Sequence, residues 1–233
     1  MSQHPRWYYN EFKQTGIDYT DLKEVQAYDL RMQKLRDIEN EANSIRKLLN
    51  IKNTDAVLEI GTGTGELALK LSAHCRKVVA IDVSRTMINF AKVKAENQKE
   101  AKIQFHNAGF LTYDYCDEPF DAVVTQLALH HLPDYWKMMA LRRVYRMLKE
   151  GGKFYLRDVV FPSMIQDYDS YFDEIVTQLK KSVGNEIAKE TETHIREEFS
   201  TLDWIMEGLL KSVGFHIESV KSDGFMACYL CKK

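Results

Sequence analysis

The sequence predicts a three-layer α/β fold, in which a mostly parallel seven-stranded sheet is closed by a C-terminal antiparallel hairpin. Two observations carry this expectation. Short apolar runs alternate with helical stripes from Ala56 to Val160, and two extended segments near the C-terminus are joined only by Lys221-Ser222-Asp223-Gly224. Alternating strands and helices build a parallel sheet covered on both faces, whereas so short a link permits only antiparallel neighbours.

The elements follow in order. Apolar residues at Leu22, Val25, Tyr28, Met32, Leu35, Ile38, Ala42, Ile45 and Leu48 step by threes and fours, the stripe of one long helix over residues 22–49. Asn50 and Asn53 mark its end. Ala56–Ile60 is a first strand, the glycines at 61, 63 and 65 a turn, and Leu67, Leu69 and Leu71 a helix ending near His74. Lys77–Ile81 is the second strand, and Ser84 caps a helix reaching about Glu100. Ile103–Phe105 and Phe120–Val124 are the third and fourth strands. A helix over 134–148 is terminated by Gly151-Gly152, and Lys153–Val160 is the fifth strand.

Beyond it, residues 163–200 are polar, with a helical stripe at Tyr168, Tyr171, Phe172, Ile175 and Leu179. A helix over 201–213 ends in Gly214, before the hairpin strands Phe215–Val220 and Phe225–Cys231. The whole is Rossmann-like. Residues 1–53 are expected to be a helical cap or lid and residues 54–233 the core, with a helical insertion at 163–200, all within one structural domain.

Bulk properties exclude several classes. The composition, 45% hydrophobic and 28% charged, suits a globular chain that builds a full core. A formal net charge of -2 supplies no polyanion-binding field, so nucleic acid is not the expected partner. No apolar run approaches the roughly 18–20 residues of a membrane span. Residues 1–7 lack a signal-peptide layout, so a cytoplasmic location is expected. Cys228 and Cys231 form the only close cysteine pair, but positions three apart on a strand face opposite ways. No metal site is expected.

The glycine turn is the first functional signal. Where a strand delivers the chain to a helix, glycine lets backbone approach a ligand closely, beside the free N–H groups of the helix start. Alone this also fits a structural tight turn. The pattern is Gly-x-Gly-x-Gly, however, and Glu66 stands where the dinucleotide fingerprint has its third glycine. Glu59, two residues earlier, disfavours a pyrophosphate and suits a ligand with an ammonium or sulfonium charge. Asp82, at the end of the second strand, can accept two hydrogen bonds from a ribose diol; its alternative role is a helix cap or a solvated loop carboxylate.

Together these segments resemble class I methyltransferases dependent on S-adenosylmethionine (SAM). Val57-Leu58-Glu59-Ile60-Gly61-Thr62-Gly63-Thr64-Gly65 resembles their first motif, and Ile81-Asp82-Val83-Ser84 with Met87 their second. Phe120–Val124 through Leu129-His130-His131-Leu132 is similar to the fourth-strand motif. Leu148–Lys153 is similar to the turn into the fifth strand, and Val213-Gly214-Phe215 to the entry of the sixth. The nearest branch is the small-molecule one that includes the ubiquinone/menaquinone biosynthesis methyltransferases.

The resemblance implies SAM as cofactor and a role for each matching residue. Gly61, Gly63 and Gly65 pack against its methionine part, with Thr64 near the carboxylate. Asp82 holds the ribose hydroxyls, and Val83 and Met87 flank the adenine. Gly109-Phe110 lies at the adenine edge, Gln126 near the sulfonium, and Tyr28, beside Asp29, closes over the methionine moiety. One departure stands out. The family carries Asp, where this chain has Gly109, to read the adenine amino group, which leaves backbone groups or His106, Asn107 or Thr112 for that task.

Methyl transfer needs alignment and exclusion of water more than a catalytic dyad. The candidates for a general base are His130 and His131, beyond the fourth strand, where open α/β sheets bind ligands; packing or capping is their alternative role. Arg157 and Asp158 are candidates to orient an anionic or polar acceptor or to form a local ion pair. Trp7, Tyr8, Tyr9 and Phe12, with Tyr168, Tyr171 and Phe172, are expected either to pack on the core or to form a lid over an aromatic or apolar acceptor. The leading expectation is a methyltransferase with a small-molecule acceptor. An RNA or protein methyltransferase, a non-catalytic SAM-binding protein and a nicotinamide dehydrogenase are the alternatives.

Overall fold

The computed structural model describes residues 5–13, 15–16, 19, 21–34, 36–98, 102–115 and 118–233. Leu35 and Cys116 lie outside the described residues, as do residues 99–100 at the expected end of the helix after Ser84 and the side chain of Leu22. The elements are α1 (Leu22–Met32), α2 (Ile38–Leu49), β1 (Ala56–Ile60), α3 (Glu66–Ser72), β2 (Lys77–Asp82), α4 (Arg85–Glu96), β3 (Ile103–Asn107) and β4 (Phe120–Gln126). A short 3-10 turn (Leu129–His131) leads to α5 (Asp134–Met147), β5 (Leu148–Phe161), α6 (Tyr168–Ser182), α7 (Asn185–Glu197), β6 (Thr201–Leu202), α8 (Asp203–Val213), β7 (His216–Asp223) and β8 (Met226–Lys232).

The sheet runs in the order β3-β2-β1-β4-β5-β8-β7, with β6 beside β5 off this path. β1 to β5 pair in parallel, and β8 is antiparallel to both β5 and β7. All five residues of β1 are buried, as a central parallel strand covered on both faces requires. Successive residues face opposite layers. Leu58, Val123 and Phe154 pack towards α5 and α8, whereas Val57, Val124 and Tyr155 pack towards α2 and α3. Cys231 belongs to the first layer and Cys228 to the second, so the pair straddles the sheet.

The expected single helix over 22–49 is two helices. The apolar spacing is helical on both sides of residues 33–37, so periodicity alone hides the break. Asp37 restarts the helix by accepting from the Asn40 amide at 3.1 Å. Arg36, between the two, directs its guanidinium onto Glu41 and Gln126. Asn50 ends α2 in the left-handed region.

A second difference lies at Gly151-Gly152. α5 stops at Met147, and β5 begins at once, pairing Leu148 with Phe120 before an irregularity resets the register to Lys153 with Ala122. The glycines belong to that irregularity. A Cβ at Gly152 would lie 2.9 Å from the Lys149 carbonyl and 3.2 Å from that of Asp121. Thr201 and Leu202, expected as helix, instead pair with Val160 and Phe161 as β6.

Candidate active site

The glycine turn and the acid of the next strand form one hydrogen-bonded unit. Gly61 and Thr62 both donate to the Ile81 carbonyl, at 2.9 and 3.0 Å, fixing the turn to the end of β2. Gly63 N–H donates to Asp82 Oδ2 and Ser84 N–H to Oδ1, each at 2.8 Å. Gly61 and Gly63 have φ of +75° and +54°, a region that side chains disfavour. Asp82 sits in apolar surroundings that push its pKa up, against the pull of these two amides. Each of its oxygens keeps a lone pair for a further donor.

Two adjoining cavities open here, of about 380 and 410 Å³. Both are bordered by Tyr28, Gly61, Gly63 and Gln126. The first continues past Asp82, Val83, Met87, Gly109 and Phe110 and on to His130 and His131. The second is walled by Glu59, Thr62 and Thr64. Of the expected cofactor residues, only Gly65 lines neither. It packs against α4 instead, where a Cβ would come within 3.0 Å of the Ala91 Cβ. The Thr64 hydroxyl is turned onto Asp29 Oδ1 at 2.5 Å, and Lys94 binds the other Asp29 oxygen at 2.6 Å.

Burial pushes the Glu59 carboxyl up to about 8, although it accepts from the Thr62 hydroxyl at 2.8 Å. Gln126 is held by residues that sequence reasoning missed. Its Oε1 accepts from Arg36 at 2.5 Å, and Arg36 and Arg157 share Glu41. No motif marks Arg36 or Glu41, because both sit in what reads as a continuous helix. Between Gln126 and the histidines, Leu127 is a non-glycine residue at φ +54°, a strained conformation of the kind that clusters at functional sites.

The local ion pair, the alternative role of Arg157 and Asp158, does not form, because neighbours on a strand face opposite layers. Arg157 binds Glu41 at 3.0 Å. Asp158, fully buried, accepts the backbone amides of Leu129 and His130 at 2.9 and 3.1 Å, and its other oxygen pairs with His130 Nδ1. His130 Nε2 faces Glu198 at 3.0 Å, and Glu198 also binds His194 Nδ1 at 2.6 Å. Burial alone pulls the His130 pKa down, but Asp158 and Glu198 together push it up to about 9. Burial and the neighbouring His130 charge push half-buried His131 down to about 3.

Ligand atoms of His130, His131 and Glu198 lie within 4.8 Å of one another, a spacing that a divalent ion can span. In the ion pairs described, the protonated His130 occupies that electrostatic role. Glu198 and His194 carried no signal in the sequence, since they lie in the polar insertion far from any motif.

Three sequence candidates for reading an adenine ring are otherwise engaged. His106 is exposed, packs on Tyr113 and lines a separate outer cavity. Asn107 donates to the carbonyls of Asp82 and Val83. Thr112 donates its hydroxyl to Glu11 at 2.7 Å. Of the two roles expected for the aromatic groups, Tyr8 and Tyr9 take the first and pack against the core. Tyr8 and Tyr9 pack on Trp136, and Tyr168 and Phe172 pack near Phe161, so the two groups have different partners and none of their rings lines the cavities. The roof of the first cavity comes instead from Glu11, Lys13 and Tyr19 on one side and Ile187, Thr191 and His194 on the other.

Known proteins agree with this architecture. Residues 57–152 match the methyltransferase-domain family. An uncharacterized methyltransferase of Bacillus mycoides (strain KBAB4) is 32% identical over 175 residues, covering 75% of this chain and 76% of the relative. One of Anoxybacillus flavithermus is 26% identical over 217 residues, covering 91% and 96%. Among solved structures, a SAM dependent methyltransferase from Aquifex aeolicus shares the fold with a TM-score of 0.64 at 17% identity, over 91% of this chain and 98% of that one. With its motifs on the strand ends where the fold binds ligands, and with these relatives, this chain belongs to the class I SAM-dependent methyltransferase family.

Proposed function

We propose that the chain transfers a methyl group from SAM to a small-molecule acceptor bound beneath the α7 insertion. The observation that carries this is the course of the first cavity. It starts at Asp82 and Gly61, passes Gln126 and ends at His131 and Glu198 under the roof of α7 and the N-terminal segment. A pocket of this size suits a small ligand. Its far wall includes Leu132, Val159 and Phe225, which suits an apolar or aromatic acceptor such as those of the ubiquinone/menaquinone branch. An RNA or protein acceptor fits less well with the roofed cavity and with a net charge of -2.

In this reading Asp82 accepts the ribose hydroxyls on its remaining lone pairs. Tyr28, Gly61, Gly63, Thr64 and Gln126 border the methionine part, and Val83, Met87 and Phe110 flank the base. SAM, when bound, supplies an electrophilic methyl group on a cationic sulfur. The arriving positive charge favours the ionised form of Glu59, whose burial otherwise holds it protonated. His130, charged and committed to two carboxylates, positions the loop. His131 stays neutral and is the residue we assign to hydrogen-bond the acceptor.

Residues 1–53 act as the cap, residues 54–233 as the core and residues 163–200 as the insertion that selects the acceptor. A cytoplasmic location belongs to the same reading. Among the described residues no helix is long and apolar enough to cross a membrane.

The test is calorimetric titration with SAM and with NADH, followed by a labelled-methyl screen over small metabolites, tRNA and protein. SAM binding with transfer to a small molecule is the expected result. Absence of SAM binding refutes the cofactor assignment, and transfer to tRNA or protein alone refutes the acceptor class.

A further inference from the structure

We propose that Glu11, delivered by the N-terminal segment, reads the amino group of the adenine ring. The inference rests on the cofactor reading above, which sets the ribose on Asp82. From there a base extends towards Val83 and Gly109, because the β2 and β3 ends lie side by side and Ala108 N–H donates to the Asp82 carbonyl at 3.1 Å. Glu11 borders the same cavity.

Its carboxyl occupies the space that a side chain at 109 would fill. A Cβ built on Gly109 would lie 2.5 Å from both Cδ and Oε2 of Glu11, and 2.7 Å from Val83 Cγ1. The adenine edge therefore has a carboxylate, but one from residue 11.

The carboxyl is 8% exposed and built into place. Both oxygens accept from the Leu111 amide at 3.0 Å, and Oε1 also accepts from the Thr112 hydroxyl at 2.7 Å. A carboxylate offers about four acceptor sites, so Oε2 keeps one for a further donor. Burial pushes the Glu11 pKa up, and a donor from the ligand would favour its charged form. A purine with an exocyclic amino group supplies that donor. One with a carbonyl there sets oxygen against oxygen.

The placement also links base recognition to the rest of the site. The segment that carries Glu11 donates from the Tyr8 hydroxyl to the Leu111 carbonyl at 3.4 Å and from Tyr9 to the His131 carbonyl at 3.2 Å. Reading the base and covering the acceptor end thus fall to one stretch of chain.

The test compares calorimetric affinities for S-adenosylhomocysteine and its inosine counterpart. A charge-assisted hydrogen bond predicts a roughly 10- to 100-fold preference for adenine in the wild-type protein. Glu11→Ala should bring the two affinities together. The ratio is internal to each variant and so does not depend on small losses of folded protein. Glu11→Gln, which keeps one acceptor oxygen but removes the charge, should retain a smaller preference than the wild-type protein. Binding by the wild-type protein with an unchanged ratio in Glu11→Ala overturns the assignment to Glu11 alone. If the wild-type protein binds neither nucleoside, the cofactor reading falls too.

Discussion

Asp158 holds His130 at two points, accepting its backbone amide on Oδ2 at 3.1 Å and pairing with its ring Nδ1 through Oδ1. Both residues are buried, and the pair joins the end of β5 to the turn that follows β4. Removing one partner of a buried ion pair costs about 3–5 kcal/mol when the other charge is left uncompensated; Glu198 still faces His130 Nε2 here, so a loss near the lower end of that range follows. Asp158→Asn still offers an oxygen to the Leu129 and His130 amides, but it loses the charge and the acceptor that Oδ1 gives the Val159 amide at 2.8 Å, so its loss reports on both. A drop of this size is expected in denaturant unfolding, and a change below about 0.5 kcal/mol would falsify the role.

The same pair sets a pH dependence. His130 has a folded pKa of about 9, above its ordinary 6.5. Its contribution to stability is therefore complete below pH 6.5 and lost as the pH rises through 9. Asp158 and Glu198 are held below their ordinary values, Asp158 by His130 and Glu198 by His130 and His194 against the cost of burial. Their contribution is present above the normal carboxylate range and is lost as the pH falls through the depressed values. Urea titrations should show stability declining between pH 6.5 and 9.5, with the decline shallower in His130→Gln. Equal slopes in the two proteins would count against the ion pair.

Gly61→Ala should act through two separable costs. The residue has φ +75°, and the new Cβ would overlap the Cβ of Ala128. A loss of about 1–3 kcal/mol is expected from the backbone conformation alone, with more from the contact. Adding Ala128→Gly removes the contact and leaves the backbone term, so the double variant should recover only part of the loss. Complete recovery in thermal or chemical unfolding would show that conformation plays no part.

Parallel strands and the glycine turn were readable because each depends on near neighbours in the chain. β1 is a continuous apolar run that ends in glycines, and Asp82 follows one strand later at the position that this turn requires. Residues whose roles depend on distant contacts left no such trace. Glu11 reads as one acid among aromatic residues, yet its carboxyl fills the place of a side chain at residue 109. Glu198 lies in a charged helix end, and only the fold brings it to His130. The break between α1 and α2 is hidden for the same reason, since Arg36 turns inward for Glu41 and Gln126, a partner 90 residues away.

Asp82→Ala should weaken SAM binding by about 1–3 kcal/mol through loss of charge-assisted hydrogen bonds. The carboxylate also accepts from the Gly63 and Ser84 amides, so the variant loosens the glycine turn as well. Asp82→Asn separates the effects, because it keeps an oxygen for one amide while removing the charge. Calorimetry should rank wild type, Asp82→Asn and Asp82→Ala in falling affinity. An unaltered affinity in Asp82→Ala refutes the ribose assignment.

Neighbouring His130 and His131 should titrate far apart. Two carboxylates hold the proton on His130 up to about pH 9, whereas burial and that same proton keep His131 neutral down to about pH 3. Histidine ring resonances followed by NMR should therefore show one imidazole losing its proton well above the ordinary range and its neighbour neutral throughout the neutral range. Glu198→Gln removes a carboxylate that raises both rings, so His130 and His131 should each titrate lower. Both rings should therefore move down together, the direction that loss of one shared negative charge dictates. If both rings titrate near 6.5 in the wild-type protein, neither the division of roles between them nor the charged link to the insertion stands.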